Sequence, residues 1–145
     1  MLNRQSLTQF NKTYQNDALT MNVLGASPVE IIVLLYEGAQ SALRKAKIEM
    51  VQRNFAEKGI LIRKASDIID GLNAALRMEV GSDIAQQLRD LYLYMKYRLS
   101  IANLNNDTEM VEEVVQLLET LNDAWQQLAN QQRVQNAPAD ARVEG

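Results

Sequence analysis

The sequence predicts an all-α protein, an antiparallel up-and-down four-helix bundle. Three observations carry that prediction. Apolar residues recur at i, i+3, i+4 and i+7 in four stretches of similar length. Between residues 28 and 131 no segment alternates apolar and polar with period two, so no sheet is expected. Pro28 and Pro138 are the only prolines, and they frame the body of the chain. Helices joined by short loops pack as antiparallel neighbours.

Helix by helix, the boundaries follow from local chemistry. Ser27-Pro28-Val29-Glu30 is a capping box with proline at the first helical position, so a helix is expected over about 28–52. Its core stripe is Ile31, Ile32, Leu35, Ala39, Ala42, Leu43, Ala46 and Met50, with Tyr36 at the margin. A second helix is expected over 55–79, with Leu61, Ala65, Ile68, Ile69, Leu72 and Leu76 on one face. Gly81 suits the left-handed position past its end, and Ser82 or Asp83 suits the next cap. The third helix, about 83–103, places Ile84, Leu88, Leu91, Tyr92, Met95, Leu99 and Ala102 inward. A turn at "NLNND" leads to Asp107 as N-cap of a fourth helix over 108–130. There Val111, Val114, Val115, Leu118, Leu121, Trp125 and Leu128 form the stripe.

The chain has 145 residues, enough for one domain with a real core. Residues 27–131 are expected to form it. Residues 132–145, "QRVQNAPADARVEG", are polar and small, and disorder is expected there. Residues 1–26 form a separate N-terminal segment. Within it Leu7, Phe10 and Tyr14 fall at helical spacing and suggest a short amphipathic helix.

Composition removes several functions. With no cysteine there is neither a disulfide framework nor thiolate chemistry. With no histidine, the Glu-x-x-His di-iron pairs of some helical bundles and the Ser-His and Cys-His nucleophiles are out. No glycine-rich phosphate loop occurs. Glu112 and Glu113 are adjacent and diverge on a helix, as on a solvated face. An enzyme is therefore not expected, and neither cofactor nor metal is implied. No apolar run approaches the length of a membrane span, and the first residues lack a secretory signal, so a cytoplasmic protein is expected, with no membrane insertion.

The net charge of −3 hides an asymmetry. Residues 44–64 hold seven Lys/Arg against two Asp/Glu, whereas residues 107–123 hold six acidic residues and no basic one. Complementary helix faces account for this. The basic segment lacks interleaved aromatics apart from Phe55, so nucleic acid is not an expected partner.

Two helices carry more apolar surface than one stripe requires. Residues 31–36 are six apolar residues in a row, which point all the way round a helix. Val33, Leu34, Ile48 and Val51 are left over from its core stripe. On the third helix Leu93, Tyr94, Tyr97 and Ile101 form a second stripe, roughly opposite the first. Tyrosine suits a surface that is alternately wet and buried. Such a patch asks for a cover, either a partner helix or a segment that folds on binding. A second copy of the chain in an obligate homodimer is the structural alternative.

The same residues carry a family resemblance. "ASPVEIIVLLYEGA" resembles the signature of the flagellar secretion chaperones, the FliS family, in which an Ala-Ser-Pro turn leads into a Leu-Tyr-Asp/Glu-Gly-Ala helix. "LRDLYLYMKYRLSIAN" is similar to that family's Leu-Tyr-x-Tyr-Met…Arg-Leu…Ala-Asn stretch, "EVGSDIAQQL" to its glycine-containing turn, and "NDAW" to the end of its last helix. The likeness spans about residues 14–128. Gly25 and Gln87 depart from it, standing where threonine and asparagine are common.

The resemblance implies a cytosolic chaperone that binds the disordered C-terminal segment of flagellin. It also implies that binding prevents premature polymerisation and keeps the subunit deliverable to the flagellar type III export apparatus. Contact with the export gate and a homodimer of the free protein belong to the same implication. So does an N-terminal segment that covers the bundle until the client displaces it, for which Phe10, Tyr14 and Val23 are the candidates. Periodicity selects Leu93, Tyr94, Tyr97 and Ile101, then Val33, Leu34 and Tyr36, as client-binding residues.

Overall fold

The computed structural model describes residues 25–79 and 81–136. The expected cover residues Phe10, Tyr14 and Val23 lie outside them. Four helices account for nearly all of the described chain: α1 (Pro28–Val51), α2 (Phe55–Glu79), α3 (Ser82–Asn105) and α4 (Thr108–Gln135). Each packs on its neighbours in sequence, and α4 packs back on α1. The result is the expected antiparallel four-helix bundle, with α1 diagonal to α3 and α2 diagonal to α4.

The first helix begins as its sequence dictates. The Ser27 hydroxyl accepts from the Glu30 N–H and the Glu30 carboxylate accepts from the Ser27 N–H, both at 3.2 Å. The backbone N–H of Ser27 holds the Glu30 carboxyl below the usual carboxylate range. At the other end Gln52 is the C-cap, and Arg53 takes a left-handed φ of 61° to turn the chain into α2. Asp107 caps α4 by accepting from the N–H groups of Glu109 and Met110 at 3.0 and 3.2 Å.

Several details correct the sequence reading. Gly81 has φ −68°, an extended N-cap of α3, and not the left-handed C-terminal position expected of it. Ser82 and Asp83 consequently lie inside the helix. The left-handed turn is made by Asn106 (φ 53°, ψ 45°), a residue type that tolerates this region. The fourth helix runs five residues beyond the expected 130 and takes residues 132–135 from the expected tail. Arg133 in its last turn reaches Glu30 at 3.2 Å, tying the end of α4 to the start of α1.

The core matches the predicted stripes closely. Leu43, Ala65, Ile68, Ile69, Met95, Leu99, Val111, Val114 and Leu118 are all buried. Ile84, expected inside, is 55% exposed, and Ala85 takes the inward place one residue later. Tyr36 is the larger correction. It was expected at the margin and among client-binding residues, yet it is 0% exposed. Its hydroxyl is hydrogen-bonded to that of Tyr92, with ring centroids 6.5 Å apart. The side chain reaches inward because its polar tip finds a partner there, which the sequence of α1 alone does not reveal.

Candidate functional site

The surface of α3 is divided by what each flank touches. On the α2 side Lys96 pairs with Asp70 at 2.6 Å. On the α4 side Arg98 Nε donates to Glu113 at 2.7 Å, the Tyr94 hydroxyl donates to the same carboxylate at 2.9 Å, and the guanidinium lies 6.0 Å from the Tyr94 ring centroid. These bonds to Arg98 and Tyr94 hold the Glu113 carboxyl below the usual range. Bonding to the Glu113 carboxylate in turn raises the Tyr94 hydroxyl. Between the two polar flanks runs an outward apolar line: Leu93 is 66% exposed, Tyr97 63% and Leu104 84%. Ile101 is half-buried.

This stripe is held on a rigid support. Lys58 of α2 is buried, and its ammonium donates to the Asn103 carbonyl at 2.7 Å and to Asn106 Oδ1 at 3.0 Å. The Asn106 side chain donates to the Met50 carbonyl at 3.2 Å. The C-terminal end of α3 is thereby fastened to α1 and α2 at once. A cation at the helix C-terminus also answers its partial negative charge.

The expected residues of α1 fall elsewhere. Val33 and Leu34 are half-buried beside Ala129 in a groove between α1 and α4, rimmed by Glu30, Glu37 and Arg133. Val33 packs against the core. Because α1 and α3 are diagonal in the bundle, Val33 and Leu34 do not share a patch with Leu93 and Tyr97. Leu93, Tyr94, Tyr97 and Ile101 do come together, on one helix. Ile48 and Val51, left over in the α1 reading, are exposed.

Besides Ile84, four exposed apolar residues fall outside the expected surface stripes: Phe55, Ile60, Leu104 and Val134. Leu104 carried a signal, lying seven residues after Tyr97 on the same face. Phe55 and Ile60 lie off the α2 core stripe but at no helical spacing from each other, so only the fold shows that both border α3. Glu112 and Glu113 do diverge, but onto partners: Lys47 of α1 bonds Glu112 at 2.5 Å while Arg98 of α3 takes Glu113. Of the basic segment over residues 44–64, Lys47 pairs with the acidic α4, whereas Arg98 comes from α3. Among the described residues no cluster of acidic side chains is placed to hold a metal ion, and no helix is long and apolar enough to cross a membrane.

Among the described residues the arrangement leaves an apolar stripe on the outer face of α3. Comparison with known proteins agrees with that character. The family model of flagellar protein FliS matches residues 10–132. The flagellar secretion chaperone FliS of Salmonella typhimurium is 42% identical over 119 residues, covering 81% of this chain and 88% of that protein. FliSB of Pseudomonas aeruginosa is 41% identical over 114 residues, covering 79% and 90%. FliS of Bacillus subtilis is 32% identical over 108 residues, covering 74% and 80%. Matched over most of its length by the family model and by such relatives, the chain belongs to the FliS family of flagellar secretion chaperones.

Proposed function

We propose that this chain is a cytosolic export chaperone for flagellin. It binds the C-terminal segment of the filament subunit while that segment is disordered, prevents premature polymerisation, and supports delivery to the flagellar export apparatus. The observation that carries the reading is the outward line of Leu93, Tyr97 and Leu104 on a bundle whose core is already full.

The energetics favour a partner that folds on binding. Burying each large apolar side chain contributes at most about 1.5–3 kcal/mol. Ordering a flexible segment costs roughly 2–5 kcal/mol of the gross interaction energy, so a few such anchors offset it. The diagonal placement of Val33 and Leu34 relative to α3 suits a client that wraps round the bundle and not one that docks on a single face. The chaperone does no chemistry and holds no cofactor.

Titration calorimetry of the full chain with a peptide spanning the C-terminal segment of the cognate flagellin tests this. The expected result is 1:1 binding with a large negative heat-capacity change and a gain of helical signal. Absence of binding, together with a dimer that persists on dilution, would assign the stripe to self-association instead.

A further inference from the structure

Two tyrosines stand three residues apart on the outer side of α3, and the bundle treats them differently. Tyr97 is 63% exposed and Tyr94 42%. Among the described residues no hydrogen bond reaches the Tyr97 hydroxyl, whereas the Tyr94 hydroxyl donates to Glu113 of α4 at 2.9 Å. One ring is therefore tied across a helix seam while the other is free to turn.

The difference begins in the spacing. Arg98 follows Tyr94 by four residues, so its guanidinium lies beside the ring, 6.0 Å from the centroid. At an exposed position such a contact is weak by itself. Glu113 closes it into a set of three, because its two oxygens take different donors. One accepts from Arg98 Nε at 2.7 Å and the other from the Tyr94 hydroxyl. The carboxylate in turn stands on a fixed base: Val114 and Val115 beside it are buried in the core, and the Asp107 cap sets the start of α4. Its lowered folded value keeps it ionised throughout the neutral range.

Prior order matters to a surface that binds. An exposed side chain gives up rotamer freedom when a partner covers it, and a ring already held in place has less to give up. We infer that Glu113 is a positioning residue of the α3 surface, holding the Tyr94 ring across the seam between α3 and α4 before the client arrives, while Tyr97 orders only on contact. The inference rests on the chaperone reading and adds to it a residue that strengthens binding without touching the client.

A double-mutant cycle in the full chain tests it, with the flagellin C-terminal peptide as probe and calorimetry as readout. Glu113→Ala is expected to weaken binding about twofold to tenfold, the cost of ordering one side chain. Tyr94→Phe keeps the ring but frees it from the carboxylate, and should cost the same. Glu113→Ala should then cost nothing further beside Tyr94→Phe, yet its full cost beside Tyr97→Phe. Glu113→Gln keeps an acceptor oxygen and should recover most of the lost affinity. In the free protein, side-chain NMR couplings should report one Tyr94 rotamer, averaged in Glu113→Ala, with Tyr97 averaged in both. If Glu113→Ala costs as much beside Tyr94→Phe as alone, the carboxylate does not act through Tyr94 and the inference is overturned. Undiminished affinity of Glu113→Ala, or an averaged Tyr94 in the unaltered chain, overturns it too and leaves the chaperone reading intact. If the peptide fails to bind the unaltered chain, the chaperone reading falls and the positioning role with it, even where the Tyr94 rotamer is fixed.

Discussion

The hydroxyls of Tyr36 on α1 and Tyr92 on α3 meet inside the bundle, joining two diagonal helices through a polar contact in an apolar core. Burial raises both hydroxyls above the usual phenol range, so both stay protonated at any physiological pH. Tyr36→Phe leaves the Tyr92 hydroxyl buried without this partner, and is expected to cost about 1–3 kcal/mol in urea unfolding. The double change Tyr36→Phe with Tyr92→Phe removes both polar groups and should cost less than the sum of the single changes. Additive costs would show that the pair contributes no coupling.

Lys58 is the second buried polar device, and its removal should act at a distance from its own helix. Lys58→Met retains the apolar stem but leaves the Asn103 carbonyl and Asn106 Oδ1 without their donor. The expected cost is about 1.5–3 kcal/mol, the range for hydrogen bonds to charged groups. Amide hydrogen exchange should accelerate selectively in the last turn of α3. Uniform acceleration through all four helices would mean that Lys58 supports the bundle generally and not the end of α3.

Tyr97→Asp separates binding from folding. The side chain is 63% exposed and contributes little to the core, so the unfolding free energy should change by no more than about 0.5 kcal/mol. Under the proposed function, client affinity should fall at least tenfold in calorimetry, because a carboxylate would replace an apolar ring on the stripe. If the variant unfolds, Tyr97 belongs to the core and the surface reading of α3 is wrong.

How far the fold was legible depended on whether the cause was local. The Ser27–Glu30 cap, the Asp107 cap and the stripes of α2 and α4 each follow from residues within one or two turns, and all appear in the structure. Tyr36 did not follow, because its inward rotation depends on Tyr92, 56 residues away. The length of α4 was underestimated for a similar reason: its last turn looked like a polar tail, but Arg133 has a partner at the start of α1. Gly81 was misassigned because glycine serves both as a left-handed stop and as an N-cap, and only the backbone angles distinguish them. For the candidate site, the α3 stripe was visible because its members share one helix. The approach of Phe55 and Ile60 to α3 was not, because it follows only once the order of helices round the bundle is known.

The acid limb of stability should be set by the pairs that α4 makes with its neighbours. Hydrogen bonds from Lys47 and Arg98 lower the Glu112 and Glu113 carboxyls in the folded state. A lowered folded value means the contribution is complete above the unfolded carboxylate range and is lost as pH falls through the folded value. The melting temperature should therefore drop as pH is taken from about 5 to about 3. Glu113→Gln should make that limb shallower. An identical slope in the variant would exclude Glu113 as a contributor.

Asp67 carries the opposite sign, and this gives the most discriminating stability measurement. Its folded value is raised, first by burial and then by the Asp70 charge, so the ionised form is disfavoured in the folded protein. Above that folded value Asp67 costs stability, and the cost disappears as pH falls towards the unfolded value. Asp67→Asn should accordingly stabilise the free protein at neutral pH, by about half a kcal/mol or less because solvent screens a group this exposed. The gain should shrink as pH falls and vanish at about pH 3, where the unaltered carboxyl is largely protonated in both states. Thermal unfolding at pH 7 and about pH 3 checks this, and a variant less stable than the original at pH 7 would show that Asp67 is already matched within the bundle.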